Sequence, residues 1–535
     1  RKYQQTKNPK DLESAIGVYR TADRLMDKIN ESQQDLSSQL FWRSDTRRLY
    51  ERAIEACYLT GNLSNAFYFF EKSRAVILND QLNQQNRINN SDILREAQIK
   101  KKILMLERAR KLADVNTSQF IEVQKDLIFN RQALNRMQQL TRRNNPLYYQ
   151  NSMDTAFITI RDLRKQVFKN YSALLEIFSG DSAVYALLIS PQDVHFQKIR
   201  KSDFDSSAIR YLSYLSNSSL LNSQFDNYSA TAEHLYQIIF KQAPVPDGRI
   251  IISPDGRLFP FEALITNSDK SNPFFFLTNH SVTYTYSARY LLTRFASDSS
   301  NTSINFLGVA PVQYTAGKTL LSLNGSDNSL TRIESYYGEA NNLIRADASK
   351  MNFQSKYSEY SIIQLYTHAS DTSAQNEPVI YFADSALYLS DLIQENKPKT
   401  RLIVLSACET GNGILYRGEG VFSFNRGFAS LGIPSSISNL WSVDNKATYE
   451  ITEFFYKYLA DGMPADVALQ KAKLDFIRKG PRHNKLPYYW ASAILVGKSD
   501  SIRRNKTFPW KDITIVFGLL GLCFLFMRKR KGSGN

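Results

Sequence analysis

At 535 residues the chain is too long for one ordinary core, and an apolar fraction of 43% lets large cores form. The 67 basic residues exceed the 51 acidic ones by 16. That surplus is spread along the chain, with no arginine-rich arm or zinc finger, so no nucleic-acid partner is expected.

The three cysteines, Cys57, Cys408 and Cys523, are too few and too scattered for a disulfide framework. The five histidines lack paired-ligand spacing, so no metal or other cofactor is expected. The chain begins at Arg1 rather than Met, which leads us to expect an upstream portion and room for an export leader.

Residues 1–90 are predicted to be helical. "DLESAIGVYRTADRLMDKI" puts Leu12, Ala15, Ile16, Tyr19 and Ala22 on one face. "RRLYERAIEACYLTGNLSNAFYFFEKSRAVILND" then reads as two helices hinged at Gly61-Asn62. Small residues (Ala53, Cys57, Ala66, Ala75) alternate with large ones (Tyr50, Tyr58, Phe67, Phe70), the way stacked helix pairs pack. The stretch resembles degenerate tetratricopeptide repeats, without the full consensus. Cys57 reads as a small core residue. Residues 91–171 are polar and nearly free of glycine, and predict a long helical hairpin turning near "ADVNTS", a spacer without chemistry of its own.

Near Ser172 the texture changes. "SALLEIFSG", "SAVYALLIS" and "DVHFQKIR" read as short strands, "TAEHLYQIIFKQ" as a helix, and "GRIIISPDGRLFPFEALIT" as a strand, a turn and a short helix. "INFLGVAP" and "SIIQLYTHAS" are further apolar strands. Strand–helix alternation argues for an α/β unit with a mainly parallel sheet.

Two of these strands share a design. "IIQLYT" runs into His368 and "LIVLSA" into Cys408, each apolar as strands inside a parallel sheet are. Sites in open α/β sheets form beyond the carboxyl ends of strands, and some thirty residues between the two suffice for a crossover. If the strands are neighbours, imidazole and thiol meet at one edge, and the imidazole can generate a thiolate. The backbone N–H groups of Ala369 and Cys408 would then be placed to hold an oxyanion. On pattern alone, a cysteine after a strand is more often an inert buried residue.

The surrounding residues favour the active reading. "THAS", "LSACETGNG", "GEGVFSFNRGFASLGIPSSISNLWSVDNKAT" and "YYWASAILVG", with "ISPDGRLFPFEALI" upstream, resemble in order and spacing the CHAT domain of the caspase and separase clan of cysteine peptidases. The resemblance covers about Ser172 to Gly497. It implies a caspase-like α/β fold with His368 as general base and Cys408 as nucleophile. One departure is Ala369, where the family usually has glycine. Glu409, Glu419 and Asp444 suggest an acidic pocket for a basic side chain. Against that, Asp444 precedes the helix "NKATYEITEFFYKYL" and Glu419 stands before "GVFSFNRGFASL", positions that suit helix caps. Trp441 and Trp490 read as core.

The chain closes with "FPWKDITIVFGLLGLCFLFMRKRKGSGN". As a helix, Phe508 to Met527 would be about 30 Å long, the thickness of a bilayer core. The expected organisation is therefore helical repeats at 1–90, a hairpin spacer at 91–171, a non-catalytic α/β half at 172–292 and a catalytic half at 293–498. A transmembrane helix at 508–527 and a basic tail at 528–535 follow. The repeats are expected to recruit a protein substrate or regulator, and the last helix to hold the chain in a bacterial membrane. Basic residues flank that helix on both sides; the reading favours a body outside the cytoplasm, with a cytosolic body on a tail anchor as the alternative. The function expected is a cysteine endopeptidase, and the alternative a catalytically silent scaffold.

Overall fold

The computed structural model describes residues 2–32, 36–87, 90–144, 157–240, 243–256, 258–267, 269, 273–295, 297, 304–315, 320–370, 378–392, 398–407, 414–416, 420–442 and 444–502. Helices fill the front. Pro9–Ser32 forms one helix, and the Gly61 turn, at φ +67°, separates Arg47–Thr60 from Leu63–Lys72. The second of the two expected helices is in fact two: the chain breaks at 73–75, with Ala75 at φ +48°, and resumes as Val76–Arg87. The break has a local cause. Arg74 leaves the helical path to donate to the carbonyls of Ser253 and Ile177, both at 2.9 Å. Cys57 is fully buried, and burial pushes its thiol up to about 12, as suits a packing residue. The spacer is a hairpin of two long helices, Asn90–Leu112 and Ser118–Asn144.

The sheet that follows explains how the front is held. Its early strands are β1 (Ala173–Ser179), β2 (Ala183–Ile189), β3 (Val194–Arg200), β4 (Gly248–Ser253) and β5 (His280–Tyr284). Phe67, Phe69 and Phe70 of the front pack with Leu174, Phe178 and Tyr185 of this sheet in one buried cluster. Each such side chain contributes about 2 kcal/mol. Polar ties reinforce the contact. Glu51 accepts from the N–H groups of Asp181 and Ser182, and Glu71 from those of Ala288 and Arg289, all at 2.8 Å. Arg47 pairs with Asp255.

The later strands are β6 (Asn305–Ala310), β7 (Glu339–Ile344), β8 (Ile362–Tyr366), β9 (Ala369–Ser370), β10 (Val379–Tyr381), β11 (Ala386–Tyr388), β12 (Leu402–Ser406), β13 (Ile414–Tyr416), β14 (Gly420–Phe422), β15 (Ser435–Asn439) and β16 (Ala493–Gly497). Among the described residues eleven strands make one sheet, in the order β3-β2-β1-β4-β5-β16-β15-β12-β8-β6-β7. It is mostly parallel, antiparallel only at β1–β2, β2–β3 and β15–β16. β9–β11 form a small sheet of their own, and β13–β14 a hairpin. The front also touches the late half: Ala75, Leu78 and Leu82 share a cluster with Ala429 of the Phe424–Ser430 helix.

Among the described residues no helix is long and apolar enough to cross a membrane. The expected span at 508–527 lies outside them.

One buried acid stands apart. Glu176 of β1 is fully covered, and burial, with the Glu71 carboxylate beside it, raises its carboxyl well above the usual range; Arg74 opposes this. Raised in the folded state, this group gives stability that is fully present below its unfolded value of about 4.3 and is lost as pH rises toward the folded value, by up to about 1.4 kcal/mol per pH unit. Glu176→Gln removes the titration. In urea melts its advantage over the parent should grow from pH 5 to pH 8; parallel curves would reject the assignment.

Candidate active site

β8 and β12 lie side by side and parallel, in register from Ile362–Leu402 to Tyr366–Ser406. Nine of their ten residues are buried, Ser406 being partly covered, because sequence runs this apolar are stable only between two helical layers. Both strands therefore release the chain at the same edge. His368 follows β8 by two residues and is half-buried. The described part of the other chain segment ends at Ala407, so Cys408 and Glu409 lie outside the described residues, as does Glu419.

A loop upstream sets the imidazole. His368 Nε2 is 2.7 Å from the Leu321 carbonyl oxygen. A carbonyl only accepts, so Nε2 is the donor, which in a neutral imidazole leaves the lone pair on Nδ1. The Tyr314 ring packs 5.2 Å from the imidazole, and its hydroxyl accepts from the His368 N–H at 3.3 Å. Burial pushes the Tyr314 hydroxyl up to about 12, so it stays protonated. Neither Tyr314 nor Leu321 is signalled by the sequence.

The peptide after His368 is fixed as well. Tyr381 N–H donates to the His368 carbonyl at 2.9 Å, and the next pair along the small sheet is Ala369 with Ile380. Antiparallel pairs alternate between bonded and non-bonded kinds. The Ala369 pair is thus of the second kind, and its N–H points away from β10.

Below the β12 edge a polar layer supports the backbone. Gln364 donates to Ser406 Oγ at 2.9 Å, and Asn439 to the Ala407 carbonyl at 3.3 Å. A cavity between β12, β15 and the Asn445–Ala460 helix is lined by Ser406, Asn439, Thr448, Thr452, Tyr489 and Ser492 among others.

Of the three acidic residues only Asp444 is among the described residues. Asp444 is exposed, and its carboxylate caps the Asn445–Ala460 helix by accepting from Ala447 N–H at 3.0 Å. The helix expected to start behind Glu419 begins instead at Phe424, with Ser423 at its cap position. β14 occupies 420–422, where β-branched and aromatic residues favour a strand. That helix start lies five positions beyond 419 in the sequence. Trp441 and Trp490 are buried, as expected of core residues.

With this geometry, the CHAT domain family model matches residues 229–498, just over half the sequence. The chain belongs to the CHAT domain family. Among solved structures it is similar to the Porphyromonas gingivalis RgpB pro- and mature domains, at 8% identity and TM-score 0.36, over 51% of this chain and 70% of that one. A structure of the Arg-specific cysteine proteinase gingipain R gives 8%, 0.35, 51% and 68%. The Saccharomyces cerevisiae separase–securin complex gives 9% and 0.42 over 92% of this chain, which spans 40% of the separase chain. No curated protein matches. The mostly parallel sheet agrees with the caspase-like α/β fold that the CHAT motifs imply, and a helical front precedes it.

Proposed function

We propose that this CHAT protein is a membrane-anchored cysteine endopeptidase with His368 as base and Cys408 as nucleophile. The register of β8 with β12 supports it most: Tyr366 faces Ser406, and each proposed residue follows its strand by two positions. Nδ1 of His368 takes the thiol proton, and the thiolate sulfur adds to the peptide carbonyl carbon. The N–H groups of Ala369 and Cys408 receive the oxyanion. Collapse to a thioester expels the amine, which takes the proton from His368. Water then attacks the thioester with His368 again as base, releasing the acid and restoring the thiol.

In this reading Glu409 and Glu419 offer charge for a basic substrate side chain, the helical front recruits the substrate or a regulator, and 508–527 anchors the chain. The test uses full-length protein from the membrane fraction. Cys408→Ala should lose all proteolysis while keeping its melting curve, and the parent thiol should be alkylated by iodoacetamide well below pH 8. An unreactive Cys408 in a folded chain would leave the scaffold reading. Release of the protein by alkaline washing would remove the anchor.

A further inference from the structure

The Asn90–Leu112 helix, read from sequence as a spacer, reaches the late half of the chain through Arg108. Its Nη1 donates to Asp391 Oδ1 at 2.9 Å, with the two side chains only 18% and 9% exposed. The guanidinium carbon sits 4.3 Å from the centre of the Tyr388 ring. Asp391 Oδ2 meanwhile accepts from Lys350 Nζ at 2.8 Å and from Tyr388 N–H at 3.1 Å, and Lys350 also donates to the Ala386 carbonyl at 3.1 Å. β11 is therefore gripped at both ends. It pairs with β10, β10 pairs with β9, and Tyr381 at the end of β10 holds the His368 carbonyl. Each step from Arg108 to the His368 peptide is a named contact.

An exposed ion pair would contribute little. This one is shielded, shares its carboxylate with a second cation and a backbone donor, and stacks on an aromatic ring, which favours a fixed geometry.

We propose that Arg108 is a positioning residue for His368. Anchored on Asp391 and Tyr388, it fixes the β9–β11 sheet and through it the peptide that carries the imidazole, so the hairpin is a working part of the site. The kinetic side of this inference rests on the peptidase reading; the backbone side does not.

Lys350 still neutralises Asp391 when Arg108 is removed, so Arg108→Ala should fold. In the full-length chain, hydrogen exchange of peptides covering residues 378–388 should run about tenfold faster in Arg108→Ala, with β8 and β12 unchanged. kcat should fall about tenfold with KM within about twofold of the parent. Arg108→Lys keeps the ion pair and should recover most of both. Parent-like exchange and kcat in Arg108→Ala would overturn the proposal. A parent chain with no peptidase activity would sink the peptidase reading, and the exchange rates alone would then decide the coupling.

Discussion

Replacing His368 with alanine is expected to lower peptide-bond turnover by about a thousandfold. The loss should fall on kcat, because the imidazole acts in bond making and breaking rather than in holding the substrate. The fold should survive: His368 is half-buried, and its Nε2 partner is the carbonyl of Leu321, a residue 80% exposed, where water can take over. His368→Gln sharpens the point. Its amide can still donate toward Leu321, but it cannot accept a proton at neutral pH, so it should be as inactive as alanine. In both variants iodoacetamide should modify Cys408 more slowly at pH 7, since a thiol of ordinary pKa, about 8.5, is then mostly protonated. Peptide mapping separates Cys408 from Cys523, and Cys57 is fully covered with its thiol pushed up to about 12. Turnover within tenfold of the parent in either variant would remove His368 from the mechanism.

What could be read from sequence follows a physical divide. β8 and β12 were legible because a run such as Ile362–Tyr366 has few places to go except a covered strand, and the residue after such a strand falls at a sheet edge. β15 was not, although it pairs directly with β12. Its sequence, SSISN, is polar, yet all five residues are buried. Asn425 makes this possible by donating to Ser438 Oγ at 2.7 Å and accepting from Ser436 Oγ at 3.0 Å. A polar strand paired by a polar helix residue carries no hydrophobic pattern. The contacts that set His368 escaped for another reason. Leu321 acts through a backbone carbonyl, which any residue supplies, and Arg108 lies 283 positions from Asp391. Neither leaves a local signature. The break at Ala75 likewise follows from where Arg74 must reach, not from helix propensity.

Lys473→Met is expected to destabilise the chain by about 3–5 kcal/mol, the range for stripping a buried charge of its partner. Lys473 Nζ lies 3.0 Å from Glu262 Oε1, with the two side chains 1% and 3% exposed. Tyr284 donates to the other carboxylate oxygen at 2.6 Å. The location magnifies the effect. Tyr284 ends β5, the last of the early strands, and the sheet passes from there to β16 through a single registered pair, Val496 with Tyr284. Backbone pairing at this seam is sparse, so side chains must carry the join. The Ala465–Lys479 helix supplies two of them: Lys473 toward Glu262, and Asp466, which takes Arg249 of β4 at 2.8 Å. Thr283 adds a bond to the Gly497 carbonyl at 3.1 Å. With Lys473 gone, Glu262 is left charged under the seam, and the early strands should loosen from the late ones before either half melts. In a Trp42→Phe, Trp510→Phe background, urea unfolding followed by tryptophan fluorescence, then from Trp441 and Trp490 on the late side alone, and by far-ultraviolet dichroism, from the whole chain, should give two separated transitions. Adding Glu262→Gln removes the stranded charge and should restore much of the lost stability. Coincident transitions with a loss below about 1 kcal/mol would show that the seam is held by packing alone.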